Sequence, residues 1–94
     1  MTYTVVFVRE QDGRYSVSVP ALPGCHTWGE SLPHAVRMVE EAMQCHLECL
    51  QAHGEPMPPD VDSVTFGWEE GRQEAVVRRV AVPEAAQLAQ ATRR

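Results

Sequence analysis

Hydrophobic residues enter this chain at once. From Thr2 to Arg9 it runs through β-branched and aromatic side chains, which predicts a strand. Gln11-Asp12-Gly13-Arg14 follows, and Asp-Gly is a strong hairpin signal because glycine accepts positive φ. Residues 15–19 (Tyr-Ser-Val-Ser-Val) then alternate apolar and polar, the pattern of a half-buried strand. With Asp12 and Gly13 as a two-residue loop, Val8 opposes Val17 and Val6 opposes Val19 on one face, which is expected to be the core side. The opposite face then carries Tyr3, Val5 and Phe7 beside Ser16 and Ser18. That face is too apolar to meet only water. Either the C-terminal half of the chain covers it, or it meets a partner or a second copy.

Pro20-Ala21-Leu22-Pro23-Gly24 ends the second strand, since two prolines remove ladder donors. Residues 25–28 (Cys-His-Thr-Trp) are expected to form a short third strand. Gly29-Glu30-Ser31 turns into a helix predicted over residues 32–52, with Ser31 as N-cap, Pro33 in the first turn and Gly54 as the stop. At about 100° per residue, Leu32, Val36, Val39, Met43, Leu47 and Leu50 fall in one stripe. Arg37, Glu40, Glu41, Gln44, Glu48 and Gln51 form the polar face. Met38, Ala42, Cys45, Cys49 and Ala52 flank the stripe and widen the apolar arc to about 200°, where about 100° suffices for a helix buried on one side. The helix therefore either lies deep in its own domain or meets a partner.

Glu55-Pro56-Met57-Pro58-Pro59-Asp60 reads as a surface linker. Residues 61–68 alternate through Val64, Phe66 and Trp68 and suggest another strand. Residues 74–82 suggest a further one, with Val76, Arg78, Val80 and Val82 on one face and Val77, Arg79 and Ala81 on the other. The Ala- and Gln-rich residues 83–94 suggest a short terminal helix or a frayed tail.

At 94 residues there is room for one core, and so small a domain gains from oligomerisation. The net charge of −5 argues against non-specific nucleic-acid binding, which needs a basic face. All eight basic residues are arginine. No apolar run approaches a membrane span, and the N-terminus lacks the basic start and apolar core of a signal peptide, so a cytoplasmic location is expected. Three cysteines without framework spacing fit reduced thiols there.

The chain offers little catalytic chemistry. Cys25 and His26 are adjacent, and adjacent strand residues point to opposite faces, so they make a poor nucleophile–base pair. Cys45, His46, Cys49 and His53 crowd the helix, but a structural zinc site draws a second ligand pair from another element, and none is spaced for it. No metal and no cofactor is expected. The glycines are isolated turn residues without a phosphate-cradling run. Two-metal nuclease chemistry needs converging carboxylates, whereas Glu40, Glu41 and Glu48 lie on the polar helix face. A residual nuclease resting on Glu40 or Glu48, and a DNA-binding regulator using Arg78, Arg79, Arg93 and Arg94, are the alternatives to a binding protein.

Five pieces in order carry a family likeness: Asp12-Gly13-Arg14-Tyr15, Val19-Pro20-Ala21-Leu22-Pro23-Gly24-Cys25, Gly29-Glu30-Ser31-Leu32, Glu40-Glu41-Ala42 in the helix, and Gly54-Glu55-Pro56-Met57-Pro58. Together they cover about half the chain and resemble the HicB-like antitoxin family. The resemblance implies an α+β fold, β-β-β-α-β, with a small antiparallel sheet on one long helix, a partial RNase H-like fold. Residues 1–82 would form the domain and 83–94 the short helix or tail. It also implies a non-enzymatic protein that assembles as a dimer or tetramer and covers the active site of a HicA-like, mRNA-cleaving toxin. Fuller members add a C-terminal DNA-binding module. The twelve residues after Val82 are too few for one, so direct DNA binding is not expected, nor is membrane association. The usual helix start has acids where Pro33 and His34 stand here. Tyr3, Val5, Phe7, Trp28, Met38, Cys45 and Cys49 are the candidate residues of a partner or oligomer interface.

Overall fold

The computed structural model describes residues 1–65 and 74–82. Their elements run β1 (Thr2–Arg9), β2 (Tyr15–Ser18), β3 (His26–Gly29), α1 (Leu32–Ala52) and β4 (Glu74–Ala81). The four strands form one antiparallel sheet in the order β3-β2-β1-β4, with α1 packed on one face. This is the expected α+β arrangement. Within residues 61–65 no strand forms, and Phe66 and Trp68 lie outside the described residues, as does the tail from residue 83.

The β1–β2 register differs from the expected one. Phe7 pairs with Val17, Val6 with Ser18 and Val8 with Ser16. The cause is the turn. The N–H of Gly13 donates to the Glu10 carbonyl at 3.0 Å, and the N–H of Glu10 donates to the Arg14 carbonyl at 2.7 Å. The loop therefore holds three residues, Gln11, Asp12 and Gly13, and Gly13 takes φ of 90° at its last position. Asp12 steadies it by accepting the Arg14 N–H at 3.0 Å. One added loop residue moves each side chain to the opposite face. Tyr3, Val5 and Phe7 thus join Val17 on the helix side, while Val6 and Val8 join Ser16 and Ser18 on the far side.

The near face and α1 share one core: Tyr3, Val5, Phe7, Val17, Val19, Leu22, Val80 and Val82 against Ala35, Val39, Met43 and Leu47. Ala35 replaces Leu32 and Val36 at the helix centre line, and those two pack at its margin with Ala42 and Leu50. The approach to β3 is close there. A Cβ on Gly29 of β3 would lie 2.5 Å from both the Cα and the N of Ala35, so helix and strand meet backbone to backbone. Ser31 caps the helix by accepting the His34 N–H at 3.3 Å. At the other end Gly54 takes φ of 75°, and the N–H groups of Gly54 and Glu55 donate to the Gln51 and Leu50 carbonyls, a Schellman closure.

Candidate protein-binding surface

The proline-rich turn between β2 and β3 holds itself together. The Val19 N–H donates to the Cys25 carbonyl at 3.1 Å, the Leu22 N–H to the Val19 carbonyl at 3.0 Å and the Cys25 N–H to the Leu22 carbonyl at 2.9 Å. Leu22 and Cys25 are thereby turned into the core, and Gly24 at φ of 85° allows the chain to reverse. Burial pushes the Cys25 thiol pKa up, and the neighbouring Cys45 adds to the rise. The turn delivers β3 to the sheet edge, where Trp28 points away from the core and is 46% exposed.

Trp28 stands among polar neighbours. The Arg14 guanidinium lies 5.2 Å from its ring centroid, a cation–π contact, and the His34 ring meets it edge-on at 6.1 Å. Nδ1 of His34 accepts the Glu30 N–H at 3.0 Å. His34 thus supplies a helix-start acceptor where related sequences were expected to place an acid. The face carrying Trp28 continues through Ser16, Val8 and Ala75, and in the next row through His26, Ser18, Val6 and Val77. Val6 and Val8 are buried although they point away from α1, whereas Val77 is 49% exposed.

A polar clamp organises the other end of this face. β2 reaches only as far as Val6, which leaves Thr2, Tyr3, Thr4 and Val5 without a strand on that side. Asp60, after the proline-rich linker, fills the gap. Its carboxylate accepts the Thr4 N–H at 2.9 Å and the Thr4 hydroxyl at 2.8 Å, and the Tyr3 hydroxyl donates to the Pro58 carbonyl. Desolvation is the largest single influence on the Asp60 pKa and raises it. The two Thr4 bonds, the Val61 N–H and the Arg79 charge together outweigh it and hold the carboxyl below its ordinary value. On sequence alone, residues 55–60 present only a surface linker. The available signal was Asp60 directly after a rigid Pro-Pro pair.

The seven interface candidates therefore separate. Tyr3, Val5 and Phe7 are fully buried beneath α1, a direct result of the shifted register, and offer no surface to a partner. Trp28 is open at the β3 edge, and Met38 is half-buried on α1. Cys45 and Cys49 are exposed on α1 and line a shallow hollow of about 350 Å³ with Cys25 and His26. Among the described residues, no three His, Cys, Asp or Glu side chains gather to hold a metal ion, and no helix is long and apolar enough to cross a membrane. Glu48 accepts from the Gln44 amide at 3.2 Å along the helix surface.

A family model for the HicB-like antitoxin of bacterial toxin–antitoxin systems matches residues 3–94. The chain belongs to the HicB-like antitoxin family. Among solved structures it is similar to the antitoxin HicB of Burkholderia pseudomallei, with a TM-score of 0.64 and 27% identity over 92% of this chain and 66% of that one. The chain thus spans just under two-thirds of that antitoxin. It is also similar to the N-terminal domain of the same antitoxin, with a TM-score of 0.62 and 28% identity over 88% of this chain and 99% of that domain. Among proteins of known sequence, a UPF0150 protein of Thermoplasma acidophilum is 43% identical over 60 residues, which are 64% of this chain and 87% of that protein. An uncharacterised 14.9 kDa protein of Haemophilus phage HP1 is 36% identical over 62% of this chain and 43% of its own length. The HicB-like motifs map onto load points of the fold: the three-residue hairpin, the self-bonded proline turn, the helix cap with Gly29, and the Schellman closure leading to the Asp60 clamp.

Proposed function

We propose that this HicB-like domain is a non-catalytic antitoxin module that neutralises a small HicA-type, mRNA-cleaving toxin by binding over its active site. The observation that carries this reading is the near-complete correspondence with the N-terminal domain of an antitoxin, 99% of which this chain spans. The net charge of −5 suits a basic partner, because complementary charge steers association. Trp28 is the anchor, since exposed tryptophan beside arginine is the composition of interface hot spots. Met38, Cys45 and Cys49 extend the contact surface along α1. The domain, residues 1–82, acts as a cytoplasmic homo-oligomer, a dimer or tetramer, without binding DNA directly.

Co-expression with a HicA-type toxin, or with any small open reading frame that neighbours its gene, tests the reading. Restored growth of cells carrying that toxin, with the two proteins co-purifying, is the expected result. Unrelieved toxicity with no complex would overturn it. Size-exclusion chromatography with light scattering tests the assembly, and a strict monomer at high concentration would remove that part.

A further inference from the structure

All three cysteines of the chain border one hollow, although Cys25 lies twenty residues before Cys45. Its walls are different elements. Gly24, Cys25 and His26 form one side, and Ala42, Cys45, His46 and Cys49 of α1 form the other. Cys25 is 4% exposed and packed in the core, whereas Cys45 and Cys49 are open to solvent. Cys45 lies close enough to Cys25 for its charge to bear on the buried thiol. The Cys49 sulfur lies 3.7 Å from Nδ1 of His53, which is itself 2.8 Å from the Cys49 carbonyl oxygen.

Placement around the hollow leaves Cys25 and a thiol of α1 as the pairing between elements. A disulfide needs Cβ vectors that point toward each other. Cys45 and Cys49 stand on one helix wall, one turn apart, with their Cβ atoms projecting side by side. Cys25 lines the opposite side of the hollow. We propose that Cys25 and Cys45 form an oxidisable thiol pair, closed by a hydroperoxide into a disulfide that pins the β2–β3 turn to α1.

The chemistry balances with one peroxide. The exposed Cys45 thiolate attacks the peroxide oxygen, which breaks the O–O bond, gives a sulfenic acid and releases water or an alcohol after protonation. The Cys25 sulfur then attacks the sulfenic sulfur, forms the S–S bond and expels a second oxygen as water, taking up the thiol proton. Two thiols are oxidised and one peroxide is reduced. Cys25 is suited to the second role, because its raised pKa makes it a slow first attacker while its neighbour is reachable from solvent.

Trypsin makes the test decisive. Cleavage after Arg14, Arg37 and Arg72 places Cys25 in one peptide, residues 15–37, and both Cys45 and Cys49 in another, residues 38–72. After treatment of the intact folded chain with hydrogen peroxide and blocking of remaining thiols, mass spectrometry should find these two peptides joined and separable by reductant. The link should persist in Cys49→Ser and vanish in Cys45→Ser, and it should form faster in the folded chain than in denaturant. The proposal is overturned by any of four results: a link confined to residues 38–72, a link retained in Cys45→Ser, a link between two chains, or equal rates folded and denatured. Binding of a toxin plays no part in this readout, so the outcome stands apart from the antitoxin reading.

Discussion

The two faces of the sheet are held by different physics. On the near face, Tyr3, Val5, Phe7 and Val17 are sealed against Val39, Met43 and Leu47 by apolar packing. On the far face, order at the open end of β1 comes from a carboxylate clamp, and the β3 corner ends in an exposed tryptophan stacked with an arginine. Apolar burial is non-directional and indifferent to pH. Hydrogen bonds to a carboxylate are directional and depend on its charge. The near face therefore sets how stable the domain is, and the far face is where solvent, protons and other molecules can act on it.

The largest effect should come from the near face. Phe7→Ala removes a fully buried ring from the centre of the core, which costs about 3–5 kcal/mol and leaves little of a small domain's stability. Urea unfolding measures it. A loss below about 1 kcal/mol would mean that Phe7 lies on the face away from α1, where a two-residue loop would place it. Next comes Gly29→Ala. The added methyl meets the Ala35 backbone at 2.5 Å, so α1 must lift from β3, at a cost of about 1–3 kcal/mol. A neutral result would show that the helix does not lie so close.

How legible these features were depended on whether they are local. Ser31, Pro33 and Gly54 marked the helix ends, because caps and closures are satisfied within a few residues, and the helix spans Leu32–Ala52 as expected. The hairpin register was not legible from Asp12-Gly13 alone, since that pair fits both a two-residue loop and the end of a three-residue one. A second signal was present. Only the three-residue loop gathers Tyr3, Val5, Phe7, Tyr15 and Val17 on one side and leaves both serines on the other. Segregation of bulk across the two strands outranks the turn dipeptide, because it reflects the whole core rather than one loop. In sequence Gly29 has the character of a turn residue, and its role as a point of backbone contact depends on Ala35, six residues on, which no pattern along the chain announces. The Asp60 clamp joins residues 56 apart and was invisible for the same reason. Of the interface candidates, Trp28 fits either an exposed anchor or a core residue on sequence alone, and the faces of Tyr3, Val5 and Phe7 depend on the register.

The clamp gives the third and more conditional effect. Asp60→Ala leaves the Thr4 N–H and hydroxyl without their acceptor, at a cost of about 1–3 kcal/mol. Asp60→Asn can keep both contacts, its carbonyl accepting the N–H and its amide donating to the hydroxyl. The two variants also separate by pH. The folded-state pKa of Asp60 is lowered, so its contribution is fully present above the unfolded value of about 3.9 and is lost as pH falls through the folded value. Wild-type stability should therefore drop more steeply than that of Asp60→Asn as the medium is acidified below about pH 4. Parallel curves would show that the charge of Asp60 contributes nothing.

The smallest effect on folding should accompany the largest on binding. Trp28 is nearly half exposed, and its partners Arg14 and His34 are surface residues, so Trp28→Ala forfeits little more than an exposed cation–π contact, about 0.5–1 kcal/mol. An indole anchor at the centre of an interface contributes about 2 kcal/mol or more, or roughly a 30-fold change in Kd. Measuring urea midpoint and toxin affinity on the same preparation sets the two readings against each other. Near-native stability with affinity reduced at least about 30-fold would place the partner on the β3 corner. Lost stability with affinity unchanged would make Trp28 a packing residue whose exposure is incidental, and the contact surface would then have to lie along α1, where Met38, Cys45 and Cys49 remain.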